Sequence, residues 1–259
     1  MKIIVSDLDG TLLDENSKIT DYTRETIKKL NRLGIEFIIA TGRGEASAIR
    51  FKNQLGIDTH IICNNGANIY DKDENMIFEK VISKEVTYEL LKLLREEKVN
   101  YNCFFHEDFY RDEYDKTDYS RRTGFIEHVL VDLKDCSELN KIIIVDEEEV
   151  ILNLSKKLKD NFSHLVEITI SDPTCVDIAP KGCSKGNALE ILAEILNFNM
   201  NKIMAFGDAE NDLDMLKKVG HPVVMENAQS IVKESISNRA GKNSEDGVAK
   251  YLENFFQLK

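Results

Sequence analysis

The sequence predicts an α/β fold, a parallel-sheet core interrupted by an inserted α+β unit. Three observations carry that prediction. Short β-branched runs alternate with amphipathic helical patterns over the first eighty residues, the alternation breaks from about Ser83, and it resumes after Ser184. Strands and helices alternating at this spacing require right-handed βαβ units and a sheet covered on both faces.

Lys2 to Leu8 reads as a buried strand running into the acidic stretch Asp7-Leu8-Asp9-Gly10-Thr11. Thr20 is the N-cap of a helix with Ile27, Leu30 and Leu33 facing inward and Gly34 as its C′ residue. Ile35 to Ala40 forms the second strand and leads through Thr41-Gly42-Arg43-Gly44 into a helix that stops near Gly56. His60 to Cys63 is the third strand, ending at Asn64-Asn65-Gly66.

The middle holds two helical patterns, 85–98 and 147–160, among strand-like runs at 102–110, 141–145 and 166–169. The acidic runs 71–74 and 146–149 read as a turn and a helix start. After Ser184 come a helix (185–196), a strand (202–206), the loop 207–212, a helix to about Val219, a strand (222–225) and two further helical stretches. The expected organization is a discontinuous core of residues 1–82 and 184–259 with an insert at 83–183.

The 259 residues suffice for a sizeable core, and 42% hydrophobic with 31% charged residues is the composition of a globular protein. A net charge of −12 argues against a nucleic-acid surface, which shows a basic patch. It does not argue against an anionic small molecule, because a metal ion and one lysine invert the potential locally. The cysteines Cys63, Cys103, Cys136, Cys175 and Cys183 are odd in number and form no CxxC pair, as expected of reduced thiols in a cytoplasmic protein. No apolar run approaches the roughly 20 residues of a membrane span, and Ile3-Ile4-Val5 is too short for a signal-peptide core. The formal sequons at Asn153 and Asn161 therefore read as chance matches.

Four polar clusters sit where strands end: Asp7-x-Asp9, Thr41-Gly42-Arg43, Ser184-Lys185-Gly186 and Gly207-Asp208-Ala209-Glu210-Asn211-Asp212. The carboxyl ends of parallel strands line one edge, so clusters distant in sequence meet there. Carboxylates for a hard cation, a lysine and a hydroxyl for phosphate oxygens make a set suited to Mg²⁺-assisted phosphoryl transfer. Asp7 and Asp9, two apart on an extended strand, are expected to point the same way. The plain alternative is an acidic turn, since Asp and Gly are ordinary turn residues.

These clusters resemble, in order, the four motifs of the haloacid dehalogenase superfamily: Asp7-Leu8-Asp9-Gly10-Thr11-Leu12, Thr41-Gly42-Arg43, Lys185-Gly186 and Gly207-Asp208-x-x-Asn211-Asp212. The roughly hundred-residue insert, Asn65-Gly66-Ala67 and Glu245-Asp246-Gly247-Val248-Ala249 are similar to its Cof-type branch, subclass IIB. The resemblance implies a Rossmann-like core, an α+β cap, and a Mg²⁺-dependent phosphatase of small phosphorylated metabolites such as sugar phosphates. It implies Asp7 as the nucleophile that forms an aspartyl-phosphate and Asp9 as the acid and base toward the leaving alcohol and the water. It implies metal ligation by the Asp7 side chain, the Asp9 main-chain carbonyl and Asp208, with Asp212 in support. Thr41 and the Gly42 N–H would hold phosphoryl oxygens, Lys185 would screen Asp7 and phosphate, and Asn211 would orient the substrate. The chain departs from the pattern at Glu226, where many relatives carry Gly.

Each of these readings has a rival. Thr41 alone fits a helix N-terminal turn, Lys181 competes with Lys185, and Asp214 shares the helix start with Asp212 but reads as structural. In the insert, Arg121, Arg122 and His128 are candidates for a substrate's distal groups, against the commoner reading of solvated surface. A sugar phosphomutase and a catalytically silent phosphate-binding protein are the alternative functions.

Overall fold

The computed structural model describes residues 2–115 and 125–258, which divide into two compact units, 1–78 with 184–259 and 79–183. Arg121 and Arg122 lie outside the described residues.

The first unit begins with β1 (Ile3–Ser6), α1 (Asp21–Arg32), β2 (Glu36–Ala40), α2 (Glu45–Leu55), β3 (Ile61–Cys63), β4 (Asn68–Tyr70) and β5 (Met76–Glu79, its last residue counted with the second unit). Thr20 caps α1 by accepting a hydrogen bond from the Thr23 N–H at 3.0 Å. Ile27 and Leu30 are buried, but Leu33 is 65% exposed. The helix ends at Arg32, Leu33 is its non-helical cap, and Gly34 follows at φ +76°, so the helical period no longer governs Leu33 and Ile35 is buried instead.

The second unit comprises α3 (Lys84–Glu96), β6 (Tyr101–Phe105), β7 (Asp108–Asp112), β8 (Ile126–Leu130), β9 (Lys141–Val145), α4 (Glu148–Phe162), β10 (Val166–Asp172) and β11 (Cys175–Pro180). Its described strands form a six-stranded sheet in the order β10-β11-β9-β6-β7-β8, antiparallel except where β7 meets β8. The single run expected at 102–110 is a hairpin, because the chain reverses at His106 with φ +50°. Tyr101, Ile142, Ile144 and Ile178 pack with Leu90 and Leu94 of α3 and Leu154 of α4 in this unit's own core.

The first unit resumes with α5 (Lys185–Ile195), β12 (Ile203–Gly207), α6 (Leu213–Lys218), β13 (His221–Met225), α7 (Ser230–Ser235), β14 (Arg239–Ala240) and α8 (Gly247–Phe256). Its eight described strands run β14-β13-β12-β1-β2-β3-β4-β5. The pairings from β14 through β3 are parallel, and β3 with β4 is antiparallel. The chain thus extends from β1 toward β2 on one side and returns to β12 on the other, which opens a crevice at the carboxyl edge. The core joins β1, β2 and β12 residues such as Ile4, Phe37, Ile38 and Phe206 to Leu189 of α5 and Leu216 of α6.

Candidate active site

Every residue of the site comes from the carboxyl ends of β12, β1, β2 and β3 or the start of α5, all within one unit. Asp7 follows β1; its N–H donates to the Phe206 carbonyl at 3.1 Å, which ties the end of β1 to β12. Its side chain is only 7% exposed. The wide turn Leu8–Leu12 begins at once, with Gly10 at φ +71°. Asp9 therefore does not lie on a strand beside Asp7 as its spacing predicts. Its carboxylate is 54% exposed and receives both Nε (2.7 Å) and Nη2 (2.6 Å) of Arg43.

Gly10 serves two needs. A left-handed φ disfavors a side chain, and a Cβ there would lie 2.3 Å from Asp208 Oδ2. Asp208 follows β12 and accepts a hydrogen bond from the Thr11 hydroxyl at 2.7 Å. Asp212 closes its own loop: its Oδ2 accepts the N–H groups of Asp208 (2.9 Å) and Ala209 (3.0 Å). Ser184 caps α5 by accepting from the Asn187 N–H at 2.9 Å, which sets Lys185 in the first turn. Lys185 Nζ, 1% exposed, reaches Asp7 Oδ1 at 2.7 Å and Asp212 Oδ1 at 2.6 Å.

Among the described residues, Asp7, Asp208 and Asp212 form the one carboxylate group whose ligand atoms all lie within 4.8 Å of one another. The Asp9 side chain is not part of it. Burial is the strongest influence on each charge here. It raises Asp7 well above the usual carboxylate range, with Asp212 and Asp208 adding to the shift and Lys185 opposing it. Burial, then the Asp212 charge, lifts Asp208 to about 7. For Lys185 burial favors the neutral amine, but the carboxylates of Asp212 and Asp7 outweigh it and hold the ammonium above its ordinary range. Three crowded carboxylates and one ammonium leave uncompensated negative charge, and this all-oxygen donor set fits Mg²⁺.

Thr41 is buried at the end of β2, and its hydroxyl accepts the Arg43 N–H at 3.1 Å. The Asn64-Asn65-Gly66 turn after β3 has positive φ at all three residues. Such conformations persist where surrounding structure fixes them. Here the Asn65 N–H donates to the Thr41 carbonyl at 3.1 Å, and its Oδ1 accepts from Asn211 Nδ2 at 3.0 Å. The same Oδ1 would stand 2.9 Å from a Cβ on Gly42.

The structure thus gathers Asp7, Lys185, Asp208 and Asp212 tightly, and links Thr41, Gly42 and Asn211 through Asn65. Lys181 belongs to the second unit and pairs there with Glu167 at 3.0 Å. Asp214 accepts from Ser184 Oγ and pairs with Lys218 at 3.2 Å. His128 is engaged with Asp108 at 2.6 Å and stacked on Tyr110. Glu226 is exposed, and its neighbor Asn227 donates to the Gly10 carbonyl at 2.7 Å, bracing the first turn. Thr11, Arg43 and Asn65 stood inside quoted motifs, but nothing in their local patterns foretold these contacts.

The family described as haloacid dehalogenase-like hydrolase matches residues 4–252. The chain is 31% identical over 255 residues to the 5-amino-6-(5-phospho-D-ribitylamino)uracil phosphatase of Bacillus subtilis, covering 97% of this chain and 94% of that one. It is 28% identical over 273 residues to the HMP-PP phosphatase of Serratia proteamaculans, covering 99% and 96%. A solved haloacid dehalogenase-like hydrolase of Bacteroides thetaiotaomicron aligns with a TM-score of 0.85 at 27% identity, over 98% of this chain and 99% of that one.

Proposed function

From the premise that this chain belongs to the haloacid dehalogenase-like hydrolases, Cof-type, and is a phosphatase of that superfamily, we propose that it hydrolyzes small phosphorylated metabolites, sugar phosphates or similar, through an aspartyl-phosphate on Asp7. The observation that carries the reading is the buried Asp7 carboxylate, held by Lys185 at 2.7 Å inside the Asp7, Asp208 and Asp212 cluster. The uracil and HMP-PP phosphatases are named for small phosphorylated compounds, which supports the substrate class.

Asp7 attacks phosphorus, the bond from phosphorus to the substrate oxygen breaks, and that oxygen takes a proton from Asp9. Asp9, now a carboxylate, takes a proton from water as the water oxygen attacks phosphorus. The bond from phosphorus to Asp7 then breaks, phosphate departs, and both aspartates return to their starting states. Lys185 draws charge from Asp7 and from the phosphoryl oxygens; the Thr41 hydroxyl and the Gly42 N–H hold those oxygens, and Asn211 orients the group they carry. Mg²⁺ would be held by Asp7, the Asp9 main-chain carbonyl and Asp208, with Asp212 in support, and when bound it supplies neutralization of phosphoryl charge.

We assign the choice of leaving group to the inserted unit, which would act as the cap. No described helix is long and apolar enough to cross a membrane. All five cysteines are free thiols, which supports a cytoplasmic setting. Purified protein with Mg²⁺ is expected to hydrolyze p-nitrophenyl phosphate, and Asp7→Asn to abolish turnover. Turnover that survives in Asp7→Asn excludes the nucleophile.

A further inference from the structure

An arginine in a loop after a strand ordinarily keeps its guanidinium loose in water. Arg43 does not. Its fork places Nε on Asp9 Oδ2 at 2.7 Å and Nη2 on Asp9 Oδ1 at 2.6 Å. Its Nη1 donates to Ser47 Oγ at 3.1 Å, and the guanidinium lies 5.0 Å over the Phe51 ring. Ser47 and Phe51 follow it on α2 at one-turn spacings, so one helix face seats the side chain. Its backbone is pinned as well: the N–H donates to Thr41 Oγ1 at 3.1 Å, and the carbonyl accepts the Asn64 N–H at 2.9 Å.

Asp9 shows the opposite character. It sits in a turn, with its side chain half exposed and both oxygens taking hydrogen bonds from Arg43. We infer that Arg43 is a positioning residue for Asp9, holding the plane of the acid-base carboxylate so that it faces the leaving group and then the attacking water. This rests on the phosphatase reading above. A planar fork holding two oxygens fixes a carboxylate's rotation, which a point charge cannot do. Proton transfer needs that orientation, because a displacement of about 1 Å costs on the order of 10²-fold in rate.

The chemistry separates this role from its rivals. p-Nitrophenolate leaves without needing a proton, whereas an alkoxide needs one. Hydrolysis of the aspartyl-phosphate needs Asp9 as base whatever the first leaving group was. Stopped-flow kinetics of the full chain with Mg²⁺, using p-nitrophenyl phosphate and glycerol phosphate, therefore resolve it.

In Arg43→Gln, the first p-nitrophenolate release is expected within about 3-fold of the unchanged protein, while steady-state turnover and glycerol phosphate cleavage each fall about 10²-fold. A burst of p-nitrophenolate is the signature. Arg43→Lys, which keeps the charge without the fork, is expected to show the same burst. Adding Arg43→Gln to Asp9→Asn is expected to cost little beyond Asp9→Asn alone, because both remove one function. Ser47→Ala, which loosens the seat without touching Asp9, is expected to show the pattern in weaker form and carries the test with Arg43→Lys if Arg43→Gln does not fold.

Equal losses in the burst and in steady-state turnover would overturn the inference in favor of a phosphate contact or a lost fold. Unchanged rates in all three assays would reduce the pair to a surface ion pair. If the unchanged protein shows no turnover, or Asp7→Asn retains it, the phosphatase reading fails and takes this inference with it.

Discussion

Replacing Lys185 by Met keeps an unbranched chain of similar length in the first turn of α5 and deletes one charge. In the folded protein that charge is 1% exposed and bonded to two carboxylates, Asp7 at 2.7 Å and Asp212 at 2.6 Å. Its removal leaves Asp7, Asp208 and Asp212 together without the ammonium that bonds Asp7 and Asp212. Removing one partner of a buried ion pair costs about 3–5 kcal/mol, because the remaining charge stays desolvated. At about 2–4 °C per kcal/mol for a chain of this size, melting should fall by about 10 °C near pH 8. The loss should shrink toward pH 5. Asp7 and Asp208 already bind protons more tightly than ordinary carboxylates, and without the ammonium they take them up at still higher pH, relieving the repulsion. Mg²⁺ should restore part of the loss at pH 8 by replacing the missing charge. Scanning calorimetry at the two pH values, with and without Mg²⁺, measures all of this. A melting temperature within about 2 °C of the unchanged protein at pH 8, or a deficit that grows on acidification, would refute the electrostatic account of the cluster.

Two further outcomes follow from the same geometry. Asp208, raised to about 7 from an ordinary 3.8 by burial and by Asp212, makes a contribution to metal-free stability that is fully present below pH 4 and is lost as pH rises through 7. The loss is about 4 kcal/mol at 1.4 per pH unit, and Asp208→Asn should flatten the pH dependence of metal-free unfolding; an unchanged slope would contradict the assignment. Gly10→Ala should cost about 1–2 kcal/mol for the left-handed backbone at φ +71°, and Mg²⁺ affinity should drop as the new Cβ displaces the Asp208 carboxylate, readable by titration calorimetry. Unaltered affinity there would show that the turn yields without moving Asp208.

What the sequence alone determined lies in signals confined to a few neighboring residues. The Thr20 cap, the Gly34 and Gly56 helix ends, and the apolar runs within 3–6, 36–40 and 203–207 each depend on local backbone chemistry, and each forms within a residue or two of where the pattern places it. The α/β class followed because alternating strands and helices have few ways to cover a sheet. Motif order likewise pointed to the family, since it is a property of the chain and not of its folding. Even local patterns failed where a turn intervened: Leu33 sits past the last helical residue, and His106 folds one apolar run into two strands.

Only the tertiary structure decided which polar groups meet. Lys185 and Asp7 are 178 residues apart and touch because β12 and β2 flank β1, an order that no local pattern encodes. The difference between Asp7 and Asp9 was likewise hidden in their spacing. Strand periodicity assigns them to one face, yet the chain leaves the strand after Ser6, and one carboxylate is buried with a lysine while the other is half exposed against Arg43. Charge and burial at a site depend on what packs around it, and that is set by the fold of the whole unit.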